Sequence, residues 1–199
     1  MTEPQVFIDL VTRYADDVLE RCADDQTPLL CDGLDVQSNP LHWEDHALSN
    51  LACQQNFLRV LDALAELTDH NRYRDRADEW IGFALETLRD PASRMLYWGG
   101  HSSYDLNTHA PIVGNHELKC VYPYYRYLFR IDPLTTRHFV EAFWHQHIWD
   151  WSTLLFNRHG EYETWDRAAI WSADFAGSEV PLIENSALSF VNTGSDLIL

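Results

Sequence analysis

Three short segments of this 199-residue chain concentrate the side chains that hold metals or move protons. They are Trp98-Gly99-Gly100-His101, Asn115-His116-Glu117-Leu118-Lys119 and Asn157-Arg158-His159-Gly160. His101, Glu117 and His159 supply two imidazoles and a carboxylate, a donor set that suits a divalent transition metal with open positions. Their separations, 16 and 42 residues, form no motif, and His109 and His116 compete with His101 for the first place. A His-Glu pair at a helix start serves equally well as a cap and dipole partner. Arg158, next to His159, offers the guanidinium that pairs best with a substrate carboxylate. Lys119 is the chain's single lysine. It reads as a charge clamp or proton carrier near an acidic ligand, or as a solvated residue. Trp98, Tyr104 and Trp151 could stack on sugar faces, with His116 as a polar partner, although each ring could equally be core. His145 and His147 lie two apart on a helix, face different sides, and read as packing rather than ligation.

Helices must position these segments. Residues 4 to 22 form an amphipathic pattern, with Val6, Leu10, Tyr14, Val18 and Cys22 at spacing four. Residues 23 to 48 hold Pro28, Gly33, Asn39 and Pro40 and read as a long loop. Ser49 or Asn50 caps a second helix to about Thr68, and Arg72 to Leu88 forms a third, so the two make an antiparallel hairpin. Met95 to Trp98 reads as a short strand, and 101 to 115 as a polar, irregular arm. Glu117 to Phe129 is expected to be helical with a break at Pro123. Asp132-Pro133 starts a helix reaching about Asp150. The last residues, 192 to 199, look like a cap and a first helical turn, which suggests a piece of a longer helical fold. No internal repeat stands out.

Composition excludes some functions. A net charge of −17 argues against nucleic-acid binding, which needs a basic face. It also requires local cations if the partner is an anionic polymer. Thirteen arginines against one lysine, on so acidic a chain, suit a high-salt cytoplasm. The four cysteines (22, 31, 53 and 120) form no C-x-x-C pair and read as buried free thiols in a reducing compartment. No basic leader or membrane-spanning run is evident, so the expected location is cytoplasmic and no membrane partner is expected.

The three segments, with Tyr122-Pro-Tyr-Tyr125 after the second, resemble the family 2 polysaccharide lyases, the pectate and exopolygalacturonate lyases. The resemblance spans about residues 30 to 199 and is densest from 96 to 160. It implies a mainly α fold: an incomplete α/α toroid, a barrel of helical hairpins, with short strands in the catalytic arm. Residues 1–199 would be a single partial catalytic domain lacking its C-terminal hairpins. It further implies a divalent transition metal (Mn, Co, Ni or similar) on His101, Glu117 and His159, with Arg158 catalytic. The implied reaction is metal-assisted β-elimination on polygalacturonate-like chains or oligogalacturonides. A free arginine is a poor base, so the residues themselves also permit Lys119 as base with Arg158 as carboxylate clamp. A chain with about half the helices of a toroid is expected to turn over weakly unless a second polypeptide or a homo-oligomer completes it. An α/α-barrel sugar epimerase, a glycoside hydrolase using Asp105 with Glu117, or a non-catalytic sugar-binding remnant are the alternatives.

Overall fold

A computed structural model describes residues 3–33, 42–43, 46–99, 101–117, 125–150, 152–153, 155–157, 159–160 and 162. It is mainly helical with short antiparallel strands. Helix α1 (Glu3–Arg21) packs on α2 (Leu51–Thr68), α2 on α3 (Arg72–Thr87), α3 on α4 (Tyr125–Ile131) and α5 (Pro133–His147), and α4 on α5. Asn50 caps α2 by accepting from the Ala52 N–H, and Asp132 caps α5 by accepting from the Thr135 N–H. Asp69 turns left-handed at the end of α2 (φ 56°), producing the tight α2–α3 hairpin. Their apolar faces meet in one core. Leu58, Leu61 and Leu64 come from α2, and Tyr73, Trp80, Ile81 and Leu85 from α3. Phe139, Val140 and Phe143 of α5 close it.

The expected α1 stripe is only half right. Ala15 and Cys22 are buried, but Leu10 and Tyr14 remain 48% and 59% exposed.

Where the sequence suggests loops, the fold places strands. β1 (His42–Trp43), β2 (His46–Ser49), β3 (Ser103–Asp105) and β4 (Ala110–Ile112) form one antiparallel sheet in chain order. Neither 23–48 nor 101–115 is therefore simply irregular. These strands are two to four residues long, so alternation has too few residues to register. Glu117 lies in β5 (His116–Glu117), not at a helix start, and the next described helix begins at Tyr125. Helix α5 stops at His147, three residues early, because Ile148 turns extended and β6 (Ile148–Asp150) pairs with β7 (Leu155–Phe156). Met95 to Trp98 contributes only an isolated bridge, Arg89 to Leu96. The tail at 192–199 lies outside the described residues.

The bridge belongs to a repeat that the sequence reading missed. After α1, Asp24 accepts from the N–H groups of Gln26 and Thr27 and the Thr27 hydroxyl, and Thr27 Oγ1 accepts from the Leu29 N–H. After α3, Asp90 accepts from Ala92, Ser93 and the Ser93 hydroxyl, and Ser93 Oγ accepts from Met95. The backbone closes identically: Asp24 N–H to Leu29 O and Cys31 N–H to Cys22 O, then Asp90 N–H to Met95 O and Tyr97 N–H to Leu88 O. The shared pattern is Asp-x-x-Thr/Ser-x-Leu/Met-Leu, offset by 66 residues. A helix followed by this arc thus occurs twice.

Strand β3 is pinned through Asp105, which is 1% exposed. Its carboxylate accepts from His46 Nδ1 (2.8 Å), the Thr108 hydroxyl (2.8 Å) and the Asn107 N–H (3.0 Å). Burial opposes its ionisation, but these bonds outweigh burial and hold the carboxyl below its ordinary value. Asp105→Ala orphans those donors and is expected to cost about 2–4 kcal/mol in denaturant unfolding. The unfolded carboxyl titrates near about 3.9. Its stabilisation is therefore complete at neutral pH and fades as pH falls below that value through the folded one. Asp105→Asn should lose this part of the acid dependence in a pH series of melting temperatures.

Candidate functional site

Asn50 does more than cap α2. Its Nδ2 donates to Gly99 O and Ser102 O, both at 2.7 Å, and its Oδ1 also accepts from the Gly99 N–H. One buried amide therefore fixes the turn that carries His101 to the start of α2. Gly99 is left-handed (φ 110°), and a Cβ there would lie 2.7 Å from the Glu117 nitrogen. Only glycine lets the two segments approach so closely. Gly114 makes the same allowance beside the His101 carbonyl, 2.2 Å from where its Cβ would be.

The second close approach is a strand pair. β5 pairs antiparallel with β8 (His159–Gly160), with Glu117 directly opposite His159 and His116 opposite Gly160. Cross-strand neighbours project to the same face. Glu117 and His159 therefore face one side, where His101 joins them with its ring 5.2 Å from that of His159. One ligand atom from each of His101, Glu117 and His159 lies within 4.8 Å of the others. Metal–ligand bonds of about 2.0–2.2 Å put ligand atoms roughly 3–4.4 Å apart, so the cluster closes on a metal with only small side-chain adjustments. His101 is exposed, whereas Glu117 and His159 are half-buried. The cluster opens to solvent on the His101 side.

The opposite face of the pair is dry. His116 is fully buried among Trp98, Phe139, Phe143 and Tyr162. Its Nδ1 lies 2.8 Å from His147 Nε2, and His147 Nδ1 lies 2.7 Å from Asn157 O. A carbonyl only accepts, so His147 carries its proton on Nδ1 and His116 donates from Nδ1 to His147 Nε2. Burial holds both imidazoles below their ordinary values, His147 at about 4, which keeps them neutral. Asn157 N–H returns a bond to His147 O at 2.7 Å. A Cβ on Gly160 would sit 2.8 Å from His147 Nε2, so the missing side chain is where the imidazole fits. His147 is thus a peg at the end of α5 that grips β5 through His116 and the approach to β8 through Asn157.

The structure brings the three expected ligand residues together and separates their competitors. His116 points into the core, and His109 lies by Asp24 instead, at 4.0 Å. His116, Trp98 and Tyr104 are corrected as sugar contacts: they are 0%, 2% and 6% exposed and offer no ring face to a ligand. Trp98 packs edge-on against Phe139 at 4.7 Å between centroids. Asp105 is tied up inside its sheet by the three bonds above and is not a free acid for a hydrolase pair. Lys119, Trp151 and Arg158 lie outside the described residues. Sequence reasoning named Asn50 as a cap and His147 as packing, but missed the bonds Asn50 makes to the His101 turn, the His147–His116 contact, Asn157 and the roles of Gly99 and Gly160. Asn157 and Gly160 flank the Arg-His pair, and that bracketing was the available signal.

A family model described as periplasmic pectate lyase matches residues 27–199. A pectate disaccharide-lyase of Dickeya dadantii (strain 3937) is 36% identical over 190 residues, covering 86% of this chain and 35% of that relative. The chain thus spans about a third of the length of the curated relative it matches. The family's description overturns the cytoplasmic expectation and points to a periplasmic or secreted setting. Acidic composition and an unremarkable N-terminus do not decide compartment, since a folded domain carries the same physics on either side of a membrane.

Proposed function

The chain belongs to the periplasmic pectate lyase family, and from that premise we propose that it provides a metal-assisted β-elimination site for a polygalacturonate-like polymer. The observation that carries this reading is the convergence of His101, Glu117 and His159. Two imidazoles and one carboxylate fit a divalent transition metal and leave positions open. A metal held by His101, Glu117 and His159 would supply Lewis acidity toward a uronate carboxylate. His101, at the exposed edge, sets the side from which a chain enters. Glu117 and His159, held by one strand pair, fix the metal's position against the protein. Arg158, next in sequence to His159, is the candidate carboxylate clamp or the group that takes the α-proton. Lys119, two residues after Glu117, is the alternative base. Elimination then moves the α-carbon's electrons into a new double bond as the glycosidic oxygen leaves the β-carbon.

A polyanion must also approach a chain of charge −17. Arg89 and Arg94 line a concavity of about 410 Å³ at the start of α5 and supply two guanidinium groups there; His138 beside them is held below its ordinary value by burial and by Arg94.

Titration with Mn²⁺, Co²⁺ and Ni²⁺ is expected to show one saturable site that a chelator empties. Any product from polygalacturonate should absorb in the ultraviolet and vanish with the chelator. New reducing ends without that absorbance would overturn elimination in favour of hydrolysis. Turnover by the 199 residues alone is expected to be weak, with a second polypeptide or another copy completing the cleft. Brisk release of unsaturated uronates by the purified chain would overturn that part.

A further inference from the structure

The arc after α1 sets two cysteines face to face. In the antiparallel bridge Ala23–Leu30 the flanking bonds are Asp24 N–H to Leu29 O and Cys31 N–H to Cys22 O, the latter at 2.9 Å. Cys22 and Cys31 are therefore directly opposed, at a hydrogen-bonded position where Cys31 N–H supplies one bond and Cys22 N–H turns back to Val18 O at 2.9 Å. Such positions hold Cα atoms about 5.5 Å apart, the separation most common for disulfides, about 5.5–6 Å. Leu88 and Tyr97 hold the same places in the second copy of the arc, so opposition comes from the arc's backbone and not from the thiols. Both cysteines are buried, at 5% and 4% exposure, whereas Cys53 is exposed. The Cys31 thiol donates to the Gly33 carbonyl at 3.3 Å. Its interaction with the Cys22 thiol, ahead of the opposing effect of burial, lowers Cys31 from its ordinary value and raises Cys22.

We propose that Cys22 and Cys31 are a disulfide-forming pair that staples the foot of α1 to the returning limb of the arc that follows it. The proposal draws on the family's setting outside the reducing cytoplasm, and it is independent of the metal reading. The oxidant is a disulfide donor, either oxidised glutathione or a dithiol oxidoreductase in its disulfide form. Cys31 thiolate attacks one donor sulfur, making a mixed disulfide and releasing a donor thiolate. Cys22 thiolate then attacks the Cys31 sulfur, forming the Cys22–Cys31 bond and releasing the second donor thiolate. Two electrons and two protons pass from the pair to the donor, which leaves as two thiols.

The test uses the full 199-residue protein, treated with oxidised glutathione both as folded and during refolding, then alkylated and mapped by mass spectrometry. The expected result is a peptide joining Cys22 to Cys31, lighter by two hydrogens, with Cys53 never joined to either. The oxidised protein should melt ~5–10 °C above the reduced one. That difference should vanish in both Cys22→Ser and Cys31→Ser. Full alkylation of both cysteines after refolding with the donor overturns the proposal, and so does cross-linking to Cys53 instead. Metal titration of both redox forms keeps the two readings apart: loss of the metal site in either form counts against the metal reading alone.

Discussion

Glu117→Gln is expected to lower divalent-metal affinity by more than about 100-fold while the protein remains folded. The carboxylate is the cluster's only anionic donor, and the amide replacing it is neutral and nearly the same size. Altering groups that merely support metal ligands costs about 10–100-fold, so removing the charged ligand itself should cost more. The fold should tolerate the change because Glu117 is half-buried on the outward face of a strand whose pairing with His159 is made by backbone. Calorimetry with Mn²⁺ or Co²⁺, alongside a melting curve, checks both halves. A folded variant that binds metal as tightly as the parent would remove Glu117 from the ligand set. His159→Ala and His101→Ala should follow the same course, which a surface carboxylate binding metal adventitiously would not produce.

His147→Ala carries the other large effect, and it acts at a distance from the metal. The side chain is 0% exposed and occupies space that Gly160 leaves open. Truncation strands the His116 Nδ1 proton and removes the donor to Asn157 O, each costing about 1–3 kcal/mol when buried, and leaves a cavity the size of an imidazole. The expected loss is about 3–5 kcal/mol in denaturant unfolding. Strands β5 and β8 then lose the peg that sets their separation from α5, so metal affinity measured where the variant is folded should fall about 10–100-fold. His147→Asn retains a donor near Asn157 O and should recover part of both. Gly160→Ala approaches the same damage from the other side, because its methyl needs the imidazole's place. Normal metal affinity in folded His147→Ala would show that the strands hold their register unaided.

How much was legible beforehand differs by element. α2 and α3 could be placed within a residue or two because each carries an apolar stripe of helical period, and at α2 the stripe coincides with the Asn50 cap; Asn71 makes no side-chain cap bond at α3. The ligand set His101, Glu117 and His159 emerged from residue type and the order of short blocks, and the structure brings those three together. The arcs at Asp24 and Asp90 were also present in the sequence. They were passed over because Thr against Ser and Leu against Met hide a repeat that the hydrogen bonds reveal at once.

What the chain's sequence determines by itself is its helices, its family and the chemical identity of the donors, since these depend on local period, composition and motif order. Tertiary structure alone decides which histidine joins the His-Glu-His cluster. His116 and Glu117 are neighbours, yet on a strand neighbours face opposite sides, so pairing with β8 sends one into the core and the other toward His101 and His159. It also decides that Trp98 and Tyr104 are core and not sugar platforms, because burial depends on what packs against a ring. The peg at His147 exists only once α5 ends where β6 begins. Spacing along a sequence cannot reveal a contact made between residues 31 positions apart.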